Sequence, residues 1–134
     1  MNTNEIIYKI RNTNLQSEED LKKVESVLSI QDKALIEPLF ELLERFPFFN
    51  FGNPGNIVRY LERFDNEVYV PLLYDSVRRE PTEYNVWMVN RYLNTLDSTE
   101  KAEGIMILEE ALQKDIDEGV KEWINEFLDE QKDE

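Results

Sequence analysis

The clearest fold signal in this chain lies in residues 118–131, which read EGVKEWINEFLDEQ. Apolar side chains recur there at the i, i+3, i+4, i+7 and i+8 spacing that marks one face of a helix. These apolar positions are Val120, Trp123, Ile124, Phe127 and Leu128. Charged residues fill most of the positions between them. The stretch therefore predicts an amphipathic helix whose apolar face must be covered by another element.

The same helical period repeats along the rest of the chain, and no strand pattern competes with it. Further apolar stripes are Leu21, Val24 and Leu28, then Leu35, Leu39, Leu42, Leu43 and Phe46, and then Ile105, Leu108, Leu112 and Ile116. We expect an all-α fold in which antiparallel helix pairs bury these stripes. The predicted helices lie near residues 4–11, 17–29, 33–45, 55–64, 70–79, 83–95, 99–115 and 118–131.

Capping residues and prolines suggest where some helices begin and end. Ser17 stands before three acidic residues, and the segment 97–100 reads DSTE, so each places a capping side chain and acids at a helix N-terminus. A residue before proline disfavours the α conformation, so Val70 and Glu80 are expected at element boundaries. Pro38 indicates either a late helix start or a kink.

The helix pairs can be arranged in two ways. They can stack as a short HEAT-like solenoid, in which each pair packs against its neighbours, or they can form a compact helical bundle. The predicted helix 83–95 is apolar on more than one side, which favours the stack. The length suits a single helical domain over residues 1–134, with 131–134 as a frayed acidic tail.

Histidine and cysteine are both absent from the sequence. Their absence excludes histidine-based triads, thiolate catalysis, imidazole or thiolate metal sites and disulfides. Carboxylate pairs such as Glu41 and Glu44, or Glu109 and Glu110, remain as acid–base candidates, but ordinary surface carboxylates explain them adequately. We therefore expect no enzyme, with no catalytic residue, no cofactor and no metal.

The formal net charge of −14 comes from 29 acidic and 15 basic residues. Such a charge repels phosphate backbones and anionic lipids, so we expect neither nucleic acid nor membrane as a partner. A basic protein is the expected partner, while the alternative is that the charge only keeps a small monomeric domain soluble. The N-terminus lacks a leader pattern and no stretch has the length of a membrane span, so we expect a cytoplasmic protein.

The predicted helix 83–95 carries a second, polar–aromatic face. Tyr84 and Trp87 can hold the guanidinium of Arg91 by stacking, either to brace neighbouring helices or to contact a partner, and bracing is favoured. Asn90 lies close to the apolar face, where it must satisfy its hydrogen bonds in a structural role. In the loop 48–55, FFNFGNPG, glycines and phenylalanines indicate helix capping with phenylalanine burial.

Three segments, 52–55 (GNPG), 78–82 (RREPT) and 86–94 (VWMVNRYLN), resemble small all-α immunity proteins of bacterial polymorphic toxin and contact-dependent growth inhibition systems. The resemblance covers mainly residues 40–95. It implies a non-enzymatic protein that binds one cognate toxin domain in the producing cell and blocks it. The motif residues are interpreted as structural: Gly52, Asn53, Pro54, Gly55, Pro81, Thr82, Trp87, Asn90, Arg91 and Asn94.

An acidic inhibitor suits a basic nuclease toxin, because nucleases carry cations that bind phosphate. Acidity is concentrated in residues 97–134, which hold 14 acids against 4 lysines. The alternatives are a HEAT-like adaptor or regulatory module without a toxin partner and, behind it, a carboxylate-dependent enzyme. The predicted partner-binding residues are Glu37, Glu41, Glu44, Asp75, Glu109, Glu110, Asp115, Asp117, Glu118 and Glu122, with Tyr69 and Tyr74 as aromatic anchors.

Overall fold

The structure, a computed structural model, describes residues 1–132. This part of the chain contains eight α-helices, a 3₁₀ turn at Lys33–Leu35 and no strand, which confirms the predicted all-α class. The helices are α1 (Thr3–Asn12), α2 (Glu18–Glu25), α3 (Ile36–Arg45), α4 (Asn56–Glu62), α5 (Asn66–Arg79), α6 (Glu83–Leu93), α7 (Ala102–Ala111) and α8 (Glu118–Lys132).

Several predicted boundaries are confirmed. Ser17 caps α2, since its hydroxyl accepts the Asp20 N–H at 3.3 Å and the Asp20 carboxylate accepts the Ser17 N–H at 3.1 Å. Glu80 follows the last residue of α5. Pro38 lies in the first turn of α3, directly after the 3₁₀ turn, so it marks a late helix start.

The start of α5 was predicted wrongly. The helix begins at Asn66 and continues through Val70 and Pro71, so Val70 is not at a boundary. A proline in a helix removes the N–H that would bond the carbonyl four residues earlier, here that of Glu67. Both Pro71 and Glu67 are exposed, so water can satisfy that carbonyl and the helix passes through the proline.

The cap predicted at residues 97–100 is also wrong. That segment forms a turn in which the Thr99 hydroxyl donates to the Asp97 carboxylate at 2.7 Å and the Glu100 N–H donates to the Asp97 carbonyl at 3.1 Å. Helix α7 begins later, after Lys101, and has no side-chain cap. A short polar side chain can form hydrogen bonds within its own turn as readily as it can cap a helix terminus. Here the bonds form within the turn.

The chain groups into two compact units, Met1–Leu72 and Leu73–Glu134, of which the second is described to Lys132. The division falls inside α5, in a continuous helix. The predicted frayed tail does not begin at residue 131, because α8 extends to Lys132 and Gln131 is buried. Residues 133–134 lie outside the described residues. Within residues 1–132, no helix is both long and apolar enough to cross a membrane.

In the first unit, α1 packs beside α3 and the two helices run parallel. At the start of the pair, the Thr3 hydroxyl donates to the Asp32 carboxylate at 2.7 Å, just before the 3₁₀ turn that leads into α3. At the other end, Arg11 binds Glu41 with two bonds of 3.2 Å, and the Arg45 guanidinium donates to the Ile10 carbonyl at 3.0 Å. The first residues of α1 and α3 thus lie close together, and so do the last residues of the two helices.

In the second unit, α6 and α8 are also parallel. A Cβ built on Gly119, the second residue of α8, would lie 3.5 Å from a carboxylate oxygen of Glu83, the first residue of α6. Near the other ends, Gln131 bonds Asn90 and Asn94. Packed helix pairs were expected and are present, and the members of these two parallel pairs are not consecutive helices of the chain. In each case one helix, α2 or α7, lies between the two members of the pair along the chain.

Candidate protein-binding surface

The acidic residues predicted on the last two helices are exposed. Glu109 and Glu110 lie at the end of α7, Glu118 and Glu122 lie on the first two turns of α8, and Asp115 and Asp117 lie between the helices. We call these six residues the α7–α8 acidic surface. All belong to the second unit.

Three of these acids already have partners within the chain. The Asp117 carboxylate accepts the Gly119 N–H at 2.9 Å, Glu118 lies 3.4 Å from Lys121, and Glu109 lies 2.9 Å from Lys132. Exposed ion pairs of this kind contribute about 0–1 kcal/mol to stability. A cation of a partner can therefore replace the lysine at little cost. The surface therefore remains available to a basic partner.

The remaining predicted acids lie elsewhere. Glu37 is exposed on α3, while Glu41 and Glu44 on the same helix are half-buried, and Glu41 pairs with Arg11. Asp75 on α5 is exposed and lies 3.3 Å from Arg78. Three of these acids lie in the first unit and Asp75 lies in the second, outside the α7–α8 acidic surface.

The two predicted aromatic anchors are buried. Tyr69 is 3% exposed and stacks on Phe40 with 6.2 Å between ring centroids. Tyr74 is 5% exposed, lies edge-on to Tyr92 at 6.5 Å, and its pKa is raised by burial. Both rings belong to the interior of the protein, because their helix turns them inward. The expectation that they anchor a partner at the surface is therefore wrong.

The exposed aromatic residue near the acids is Trp123, which the sequence reading placed on the buried stripe. Trp123 is 38% exposed, whereas Ile124 and Phe127 are 0% and 6% exposed. Its ring meets the Phe127 ring edge-on, with 5.3 Å between centroids and 81° between planes. The acidic residues Glu122 and Glu126 mark the edge of the apolar stripe on α8. This sequence signal could have identified the Trp123 ring as exposed.

In the aromatic–arginine motif of α6, the expected contact between Arg91 and Trp87 is present, and the bracing of neighbouring helices stays a prediction. The Arg91 guanidinium lies 5.2 Å from the Trp87 ring centroid, and Tyr84 lies 6.3 Å from the same ring. Gln131 Nε2 donates to the side-chain oxygens of Asn90 at 2.7 Å and Asn94 at 2.8 Å. Asn90 thus ties α6 to α8.

Asn85, which the sequence reading missed, is the most connected buried amide of this unit. Its oxygen accepts the Thr82 N–H at 2.7 Å, and its nitrogen donates to the Ser76 hydroxyl at 3.1 Å and the Glu80 carbonyl at 2.8 Å. The Thr82 hydroxyl in turn accepts the Asn85 N–H at 3.2 Å, which completes a capping box. Buried Pro81 lies between the residues that these bonds connect. The motif segment 78–82 therefore joins α5 to α6.

The glycine motif before α4 is a tight turn. Gly52 and Gly55 have φ of 117° and 87°, a region that favours glycine, and Asn53 and Pro54 lie between them. A Cβ on Gly55 would collide with the carbonyl oxygen of Phe51. Phenylalanine burial is confirmed for Phe51 at 2% exposure.

One residue of this loop departs from the expectation, and another occupies the expected helix-capping position. Phe48 is 73% exposed, so the phenylalanines of the loop are not buried together. Gly55 is the N-cap residue of α4 and makes no side-chain cap bond. The turn therefore positions the start of α4 through its backbone path.

An open groove of about 540 Å³ lies between α2 and this loop in the first unit. One face of α2 forms one wall, and the opposite wall is the turn. The charges of the α2 wall are mixed, since Glu18 and Glu25 flank Lys22, and they favour no charged partner. The groove lining is Glu18, Leu21, Lys22, Glu25, Phe49, Asn50, Phe51, Gly52, Gly55 and Asn56.

The described part of the chain offers few side-chain groups for acid–base or metal chemistry. No aspartate or glutamate within residues 1–132 is buried, and no three potential metal ligands come together there. Asp20, Asp32 and Asp97 have lowered pKa values, and the leading causes are hydrogen bonds from the Gln16 N–H, the Ala34 N–H and the Thr99 hydroxyl respectively. These carboxylates stabilise helix starts and turns.

The fold and the surface define a class: an all-α protein whose second unit exposes an acidic surface with a tryptophan beside it. Comparisons of the chain with protein-family models, with curated proteins and with solved structures gave no significant match.

Proposed function

We propose that this protein is a non-enzymatic immunity protein, which binds a basic toxin domain in the cytoplasm of the producing cell and neutralises it. The observation that carries the proposal is the α7–α8 acidic surface together with the half-exposed ring of Trp123. The resemblance of the central segments to immunity proteins supplies the toxin as the kind of partner.

The α7–α8 acidic surface determines how fast a basic partner is found. Exposed carboxylates on one unit create a negative field that attracts a cationic surface and raises the association rate in a salt-dependent way. A nuclease toxin has such a surface, because it must bind phosphate. Carboxylates that occupy this surface would compete with the nucleic acid and block the toxin.

Affinity needs a second contribution, because exposed charge pairs contribute little once the complex has formed. A few aromatic or arginine side chains usually dominate the binding energy of an interface. Trp123 has the required properties, since it is large, partly exposed and adjacent to acids. We therefore place the centre of the interface on α8.

The test begins with a tagged copy purified from its native cells at low salt, with co-purifying proteins identified by mass spectrometry. The captured protein is then produced alone and assayed for nuclease activity with and without the immunity candidate. We expect one stoichiometric basic protein whose activity is abolished by an equimolar amount. A partner without toxic activity would support the adaptor function and contradict the proposal.

Charge reversal identifies the surface. Glu109→Lys, Glu110→Lys and Glu118→Lys together should slow association with the toxin about ten-fold or more at low salt. The matched control reverses Glu19, Glu25 and Glu67, which lie in the first unit and give the same change of net charge. Equal association rates for the two variants would contradict the assignment of the surface.

A further inference from the structure

We draw no further inference here: the strongest candidate, the open groove of about 540 Å³ between α2 and the loop that precedes α4 in the first unit, carries none, because the charges of its α2 wall are mixed and nothing within the described residues 1–132 shows what covers it.

Discussion

The two parallel helix pairs are held together by different chemistry. Between α1 and α3 the ties involve charged groups near the surface, namely the Arg11–Glu41 ion pair and the Thr3 hydroxyl on Asp32. Between α6 and α8 the tie is a neutral amide, Gln131, which is 4% exposed. The two pairs thus differ in their polar ties, which use surface charge in one unit and buried amides in the other.

This difference follows the distribution of charge. Residues 1–72 hold 12 acids and 8 bases, whereas residues 73–134 hold 17 acids and 7 bases. With a net charge of −10, the second unit has too few cations to pair all its carboxylates, and the bonds that Gln131 makes between α6 and α8 use no cation. Its acids thereby stay on the surface, where a basic partner can reach them.

The largest expected effect comes from breaking the amide connection between α5 and α6. Asn85→Ala removes partners from three buried or partly buried groups, the Thr82 N–H, the Ser76 hydroxyl and the Glu80 carbonyl. Each buried group left without a partner costs about 1–3 kcal/mol, so we expect unfolding to become about 3 kcal/mol easier. Urea denaturation followed by circular dichroism measures this change.

A loss below about 1 kcal/mol for Asn85→Ala would mean that water replaces the amide, and the contrast between the units would disappear. Thr82→Ala, which removes only the capping hydroxyl, is the matched control and should cost about 1 kcal/mol.

A direct comparison of the two pairs gives the next largest effect. Gln131→Ala removes two hydrogen bonds and leaves the oxygen of buried Asn90 without that donor, so we expect a loss of about 1–2 kcal/mol. Glu41→Gln breaks the ion pair with half-exposed Arg11 and should cost about 0.2–1 kcal/mol. Urea denaturation at low and high salt measures both variants.

Salt distinguishes the two ties further. The cost of Glu41→Gln should shrink at 1 M salt, where the Debye length is about 3 Å, while the cost of Gln131→Ala should stay the same. A salt-dependent loss for Gln131→Ala would contradict the interpretation of this residue as a neutral tie.

The sequence predicted the helices well because their apolar stripes are long and regular. The stripe on α8 gave that helix nearly its observed limits, and the Ser17 cap gave the start of α2. The start of α5 was missed because local rules for proline do not include the solvent that satisfies the freed carbonyl. The parallel direction of the pairs depends on which helices meet, which periodicity does not encode.

The candidate surface was predicted in part. Exposed acids could be named from composition alone, since carboxylates rarely lie buried without partners. Aromatic residues gave no such guide, because Trp123, which lies in a predicted apolar stripe, is the exposed one, while Tyr69 and Tyr74 lie in none of the predicted stripes and are buried. Only the packing shows that the two tyrosines are inside and the tryptophan is at an edge. The Asn85 network was missed because its partners come from different segments.

The smallest expected effect is a loss of stability at low pH. It sharpens the contrast between the two helix pairs, because carboxylates titrate and amides do not. The pKa of Asp32 lies below its ordinary value of 3.8, because its carboxylate accepts the Ala34 N–H and the Thr3 hydroxyl. A carboxyl with a lowered pKa stabilises the fold fully above its ordinary pKa, and this contribution is lost as the pH falls through the folded value. Without histidine, stability should be nearly constant between about pH 6 and 8.

We therefore expect the urea concentration at the unfolding midpoint to decrease when the pH is lowered below about 4. Asp32→Asn should make this decrease smaller. The variant removes only part of the dependence, since Asp20 and Asp97 have lowered pKa values as well. Glu67→Gln, at an exposed position, serves as the control. If Asp32→Asn leaves the pH dependence of stability below about pH 4 unchanged, the carboxylate does not hold the start of the α1–α3 pair. The charged ties at the other end, Arg11 to Glu41 and Arg45 to the Ile10 carbonyl, then hold the pair.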